Sequence, residues 1–335
     1  MPEALRYPPG RGVSPLRIMG PTAIGKTAVA IALCERVPAE VISVDSAMVY
    51  RGMDIGTGKP GPAERRSAPH HLVDIREPTE TYSCASFVAD AVTAARDILL
   101  RGRRPLLVGG TGLYFRALDG GLSPLPHASE EVRRRLEQEA EQLGWEGLHR
   151  RLSSVDPASA RRIHPNDRQR IQRALEIWEL TGRPWSEQLR GRREAKAALG
   201  SALSPGRTFV LVPASRAALH SVIAERFRLM LKAGLLEEVE TLRKRGGFRP
   251  APPALRAVGY RQVWAHLAGE IDRDEMVARA VAATRQLARR QLTWLRASAR
   301  TADSAPRMIS IDMTPRSREA SLLGAVEVIL REGFR

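Results

Sequence analysis

The chain has 335 residues, 43% of them hydrophobic, enough for one large domain or two smaller ones with a real core. Lys and Arg number 53 against 37 Asp and Glu, and the resulting +16 favours a polyanionic partner, because each neutralised phosphate releases counterions. Two cysteines, Cys34 and Cys84, cannot frame a disulfide scaffold or a zinc site and suit a reducing cytosol, and no apolar run approaches the ~18 residues of a membrane span. A cytoplasmic protein with no membrane partner is the expectation.

Residues 1–15 lack the apolar stretch of a secretory signal and are expected to be a loose extension. Leu16–Met19 predicts a short strand that carries Arg17 and ends at Gly20, with a helix from Lys26 to Glu35 behind it. Val41–Val44 predicts a second strand, ending at Asp45. Phe87–Leu100 predicts a helix with Phe87, Ala91, Ala94, Ala95 and Ile98 on one side, and Pro105–Val108 a third strand that runs into Gly109-Gly110. Alternation of this kind implies a parallel sheet covered on both faces, in which ligands collect at the carboxyl ends of the strands. Three polar or glycine-rich motifs begin at the three predicted strand ends.

After Pro124 and Pro126 the chain becomes helical and strongly charged. Ser129 reads as an N-cap, Glu130 and Glu131 suit a first turn, Val132, Leu136, Ala140 and Leu143 form one apolar stripe, and Gly144 is placed to end the helix. Another helix is expected over 168–180, and a polar, flexible link over 186–206. Phe209–Val212 restores strand character, followed by helices at about 215–233, 235–245 and 273–297. The expected architecture is therefore an α/β core, 16–123 and 204–335, interrupted by an all-helical insertion over 124–203.

The sequence Gly20-Pro21-Thr22-Ala23-Ile24-Gly25-Lys26-Thr27 fits G-x-x-x-x-G-K-[ST] throughout. Its glycines let backbone N–H groups turn toward phosphate oxygens, and the following helix points its positive end at the same anion. Lys26 adds a point charge, and the Thr27 hydroxyl offers a ligand for Mg²⁺. The loop reports a di- or triphosphate without saying which, so an ATP-using kinase is the default reading. Asp45 at the next strand end suits either indirect Mg²⁺ binding, a general base, or a simple turn cap. Thr111, within Gly109-Gly110-Thr111-Gly112, can donate or accept a hydrogen bond where small residues permit close approach. Adjacent His70 and His71 face opposite ways in a strand, poor geometry for a metal, and read as structural or surface residues.

The segments GPTAIGKT (20–27), SVDSAMVYRGMDIGTGKP (43–60), PHHLVDI (69–75), LLVGGTGLYFRAL (106–118), HPNDRQRIQRALE (164–176), PASR (213–216), AVGYRQ (257–262) and ATRQLARRQLTWLR (283–296) carry something more specific. In them the chain resembles the bacterial tRNA dimethylallyltransferases, also called tRNA isopentenyltransferases, over about residues 16–297. The resemblance implies a P-loop NTPase-like parallel sheet with an inserted helical domain. It implies dimethylallyl diphosphate as donor, and as acceptor the N6 amine of the adenosine 3′ of the anticodon in tRNAs reading codons that start with U. Carried onto these residues, Asp45 is the general base. Lys26, Thr27 and Arg216 hold the diphosphate with Mg²⁺. Asp45, Ser46, Ala47 and Met48, with Thr111, Arg133, Gln169, Arg170, Ile171, Gln172, Arg173, Arg256, Gly259, Tyr260 and Arg261, line the tRNA contact. Thr111 is also expected near the chemistry, and the enzyme is expected to act as a monomer.

The residues themselves are consistent with this. On a 100° wheel, Arg285, Arg289 and Arg296 fall within about 40° of one another, opposite Met276, Ala280, Ala283, Leu287 and Trp294, so one face packs and the other offers guanidinium groups to RNA. Arg168, Arg170 and Arg173 cluster similarly beside Gln169. A nucleotide or small-molecule kinase, an adenine-nucleotide prenyltransferase and an RNA-binding module with a vestigial loop are the alternatives; the intact Lys26-Thr27 pair opposes the last.

Overall fold

The computed structural model describes residues 14–120, 125–189, 206–246, 252–300, 308–313 and 318–334. Its strands are β1 (Leu16–Met19), β2 (Ala39–Val44), β3 (His70–His71), β4 (Arg104–Gly109), β5 (Thr208–Val212) and β6 (Met308–Asp312). They form one sheet in the order β3-β2-β4-β1-β5-β6, and every pairing is parallel. β1 and β2 are buried along their whole length, as strands covered on both faces must be. Arg17 does not break β1: it is 1% exposed, with its guanidinium 5.9 Å from the centroid of the Phe115 ring. The sheet core gathers Leu16, Ile18, Leu33, Leu106, Phe209 and Leu211, with Val326 and Ile329 from the last helix.

The register sets the site. Met19 and Val44 both pair with Gly109, so β1, β4 and β2 end level with one another. Gly20, Asp45 and Gly110 therefore leave the sheet side by side. This is the carboxyl edge where α/β sheets bind ligands.

The helices are α1 (Lys26–Cys34), α2 (Pro62–Ser67), α3 (Cys84–Leu100), α4 (Gly112–Gly120), α5 (Glu130–Val155), α6 (Pro157–Ala160), α7 (Arg168–Thr181) and α8 (Trp185–Gln188). After β5 come α9 (Arg216–Lys232), α10 (Leu235–Gly246), α11 (Tyr260–Leu267), α12 (Arg273–Arg300) and α13 (Arg318–Gly333). A 3₁₀ turn spans Pro253–Arg256. A second core joins Val49, Tyr50 and Met53, which follow β2, to Phe227, Leu235, Val239, Tyr260, Val263 and Met276 of α9 to α12. It holds the helices beside the carboxyl edge.

The chain divides into two compact units, Met1–Arg116 with Ser201–Arg335, and Ala117–Gly200. In the smaller unit, Ser129 caps α5 by accepting from the Val132 N–H at 3.4 Å, and Val132, Leu136 and Ala140 pack against Ile171, Ala174 and Leu175. Leu143 does not continue that stripe; it is 57% exposed. Gly144, at φ 69° and ψ 162°, breaks the helical path, and a second helical segment resumes on a new phase to Val155. The expected link over 186–206 begins inside α8, and residues 190–205 lie outside the described set, as does most of the expected N-terminal extension.

Candidate active site

At Gly20 the chain turns sharply, and a Cβ there would sit 2.9 Å from Ile24 Cγ2 and 3.0 Å from the Leu211 carbonyl oxygen. Ala23 and Gly25 adopt left-handed conformations, φ 66° and 101°. Gly25 is the N-cap of α1 and supplies no side-chain cap, and the first turn carries no acid. The first N–H groups of α1 are thus left for an external anion. Lys26 folds back and donates to the Pro21 carbonyl oxygen at 2.7 Å. Burial lowers its pKa to about 8; Asp45 opposes the shift and Arg226 adds to it. The ammonium therefore lies within the field of both groups, and an incoming anion would raise its pKa again.

Asp45 follows β2 directly. Its Oδ1 accepts from the Ala47 N–H at 2.8 Å and the Met48 N–H at 3.4 Å, which fixes the carboxylate in a turn. Oδ2 makes no hydrogen bond among the described residues. Thr111 donates its N–H to the Val44 carbonyl oxygen at 3.3 Å, tying the end of β4 to the end of β2. The glycines around it admit neighbours. A Cβ at Gly109 would lie 2.1 Å from the Val44 oxygen, at Gly110 2.4 Å from Gln291 Nε2, and at Gly112 2.6 Å from Trp294 Cδ2.

These strand ends open onto a cavity of about 490 Å³, a size ordinary for small-ligand sites. Of the residues named from the sequence, Thr22, Ala23, Asp45, Ser46, Ala47, Thr111, Arg256, Gly259 and Tyr260 line it. The opposite wall is α9 and α12, with Arg226, Thr284, Arg290 and Gln291 as its polar groups and Ile223, Phe227, Met230, Leu287 and Trp294 as its apolar ones. The 54–58 segment is another wall. Glu238 accepts from the N–H groups of Asp54 (2.9 Å), Ile55 (2.7 Å) and Gly56 (3.3 Å) and from the Tyr260 hydroxyl (2.6 Å). Burial and the Glu238 charge push the Tyr260 phenol upward, so it stays a donor.

Other expected residues lie elsewhere. Pro21, Ile24, Gly25, Lys26 and Thr27 form the loop and helix start without lining the cavity, and neither does Met48, whose sulfur accepts from Ser43 Oγ at 3.6 Å. Arg216 is exposed at the start of α9 and shares a second cavity, about 400 Å³, with His220, Arg285, Arg289 and Arg296. Arg261 is exposed on α11. In the smaller unit, Gln169 and Arg170 are exposed, and Arg170 pairs with Asp167 at 2.9 Å. Ile171 is fully buried in that unit's core, so its side chain is closed to RNA. Arg133 and Arg173 hold the fully buried Glu176 at 2.9 and 2.6 Å, and Gln172 donates to the Arg133 carbonyl oxygen at 3.3 Å. His71 binds the buried Glu40, shared with Arg101, and His70 reaches the Ala68 carbonyl oxygen; both histidines are structural.

Arg226, Gln291 and Glu238 were not singled out from the sequence, and Trp294 was read only as part of the packing face of its helix. Arg226 reaches the Thr57 carbonyl oxygen at 3.4 Å and fills the space where a Gly58 side chain would stand. Gln291 accepts from the Thr22 N–H at 2.8 Å and donates to the Gly110 carbonyl oxygen at 3.1 Å. Neither contact has a local signature, since Thr22 and Gln291 are 269 positions apart.

Comparison with known proteins fits this geometry. The family model described as IPP transferase matches residues 48–298, and a second, isopentenyl transferase, matches 15–80. A tRNA dimethylallyltransferase of Thioalkalivibrio sulfidiphilus is 57% identical over 279 residues, 83% of this chain and 86% of that protein. One from Thiobacillus denitrificans is 54% identical over 311 residues, 92% of this chain and 95% of that one. Among solved structures, the full-length tRNA isopentenylpyrophosphate transferase of Bacillus halodurans superposes with a TM-score of 0.64 at 34% identity, covering 96% of each chain. A eukaryotic dimethylallyltransferase acting on tRNA gives a TM-score of 0.73 at 25% identity, covering 96% of this chain and 79% of that one. The six-stranded parallel sheet is thus a P-loop NTPase-like core, and the chain belongs to the IPP transferase family, the tRNA dimethylallyltransferases.

Proposed function

We propose that this prenyltransferase takes the dimethylallyl group from dimethylallyl diphosphate and places it on the N6 amine of the adenosine 3′ of the anticodon, in tRNAs reading codons that start with U. The diphosphate occupies the loop Gly20–Thr27, where the uncapped N–H groups of α1 and Lys26 face it. The adenine, turned out of the anticodon loop, enters the cavity beside Asp45 and Thr111. The amine lone pair forms the new C–N bond as the allylic C–O bond breaks and its electron pair leaves with the diphosphate. The amine becomes acidic as that bond forms, and Asp45 Oδ2 takes the proton. Lys26 and Arg226 stabilise charge on the leaving group.

Mg²⁺ suits the donor set. The Thr27 hydroxyl is a hard oxygen donor, and among the described residues no group of three or more His, Cys, Asp or Glu could hold a metal. Mg²⁺ would thus be shared with the diphosphate oxygens, as is usual for this ion, and when bound it supplies charge neutralisation. Exposed Arg285, Arg289 and Arg296 on α12 offer phosphate contacts to tRNA, and Arg216 sits beside them. In the other unit Arg168, Gln169 and Arg170 are exposed for the same use. The two free thiols, Cys34 and Cys84, suit a cytosolic setting.

The observation that carries the reading is Asp45, one oxygen fixed in a turn and the other without a partner, on a cavity that shares an edge with the phosphate loop. Asp45→Asn should slow single-turnover transfer from labelled dimethylallyl diphosphate by roughly 10²–10⁴-fold while tRNA affinity changes little. Wild-type rates in that variant would remove Asp45 as the base. Label in AMP and none in unmodified tRNA would move the acceptor to free nucleotides.

A further inference from the structure

We propose that Gln291 is a positioning residue for the donor: its side-chain amide locks the phosphate loop into its diphosphate-binding shape from helix α12. The inference rests on the reading of Gly20–Thr27 as the donor site. Gln291 reaches the loop from the far end of the chain. Its Oε1 accepts from the Thr22 N–H at 2.8 Å, and its Nε2 donates to the Gly110 carbonyl oxygen at 3.1 Å. The two partners fix the orientation of the amide, because the reverse arrangement would set donor against donor and acceptor against acceptor. A carboxylate can accept but not donate, and a cation can donate but not accept. Only an uncharged amide of this length meets both demands.

The surroundings are built for the contact. Gly110 carries no side chain, and one there would stand 2.4 Å from Gln291 Nε2 and 3.0 Å from the Gly20 carbonyl oxygen. Ala23, beside Thr22, holds a left-handed φ of 66° without being glycine, a conformation that persists only where neighbours enforce it. Ala23 also packs against the core of Leu219, Ile223 and Ala288. Ala288 lies on α12 three residues before Gln291, so one helix face seats Ala23 and pins the residue before it. Pinning the first half of the loop leaves the N–H groups of the second half, at the start of α1, free for the anion.

The test compares Gln291→Met, Gln291→Ala and Gln291→Glu in the full-length chain. Met keeps the volume and loses both hydrogen bonds. Two readouts are used: the KM for dimethylallyl diphosphate and for tRNA, and binding of inorganic pyrophosphate with Mg²⁺ by calorimetry. Losing two neutral hydrogen bonds should raise the donor KM and the pyrophosphate Kd about tenfold in both Met and Ala, with a smaller rise in the tRNA KM and a modest fall in melting temperature from the unpaired Thr22 N–H and Gly110 carbonyl. Glu should be weaker still, because its charge faces the anion. Wild-type donor KM and pyrophosphate Kd in Gln291→Met would reduce Gln291 to a packing residue and overturn the proposal, as would equal rises in the tRNA and donor KM. If wild-type protein binds pyrophosphate but prenylates no tRNA, the functional reading fails, and the pyrophosphate series still decides the role of Gln291.

Discussion

Two Gly-Lys pairs end glycine-rich loops in this chain, Gly25-Lys26 and Gly58-Lys59, and they have opposite fates. Lys26 opens a nine-residue helix, makes its hydrogen bond to a neutral carbonyl and loses basicity through burial, the state of a cation awaiting an anion. Lys59 precedes Pro60, has a side chain only 2% exposed, and is already neutralised by Asp54 at 2.7 Å and by Asp74, with the Tyr50 carbonyl oxygen as a third acceptor. Arg65 shares Asp74 at 2.7 Å. A glycine followed by lysine is therefore not a phosphate site in itself. The helix start behind it and the absence of a carboxylate partner make it one.

The sharpest way to break this comparison is to delete each ammonium in turn. Lys26→Ala should weaken pyrophosphate binding roughly a hundredfold, the worth of a charge-assisted hydrogen bond, while thermal stability holds or rises slightly. Lys59→Ala should leave pyrophosphate affinity within about threefold and cost about 2 kcal/mol of stability, because Asp74 and the Tyr50 carbonyl lose their partner. Denaturant titration and calorimetry on both variants separate the effects. Exchanged phenotypes would mean that the 54–60 loop, not the 20–27 loop, holds the anion.

How far the sequence could be followed tracks how local each contact is. β1, its loop and α1 are contiguous, as are β2 with Asp45 and β4 with Gly109, so strand pattern and turn chemistry suffice to place them. β3 was not counted among the predicted strands, although its two histidines were read in strand geometry, because two residues form a strand only by pairing with β2. β6 is an edge strand with one buried residue in five, too little pattern to stand out. Gly144 was legible as a break but not as a kink between two helical segments, which is why Leu143 faces solvent. Gln291 and Trp294 belong to a helix whose arginine face dominates the pattern, and their partners lie at the other end of the chain.

The same contrast between engaged and available cations applies to arginines. Arg133 and Arg173 satisfy the buried Glu176, whereas Arg289 is exposed on α12. Arg289→Ala should lower the slope of log K against log salt for tRNA binding by about 0.7 to 0.9 and leave the melting temperature alone. Arg133→Ala should cost about 1–3 kcal/mol of stability, because a buried carboxylate is left short of donors. A tRNA salt slope that falls in Arg133→Ala with no loss of stability would place RNA on that face of the helical unit.

The smallest effect is a pH dependence, and it isolates Lys26 from every other charge in the loop. In the free protein burial holds its pKa at about 8, and a bound diphosphate raises it. Binding therefore takes up a proton once the free ammonium begins to deprotonate. Affinity is nearly complete at pH 7 and below and declines as pH rises through 8, where about half of Lys26 is charged. Pyrophosphate Kd should rise about twofold between pH 7 and pH 8 and more steeply beyond. Pyrophosphate titrates too, so the comparison is with Lys26→Arg, whose guanidinium stays charged throughout. The ratio of the two dissociation constants should grow with pH. A ratio independent of pH between 7 and 9 would mean that Lys26 keeps its full charge in the empty loop, and that it differs from Lys59 only in lacking a carboxylate partner.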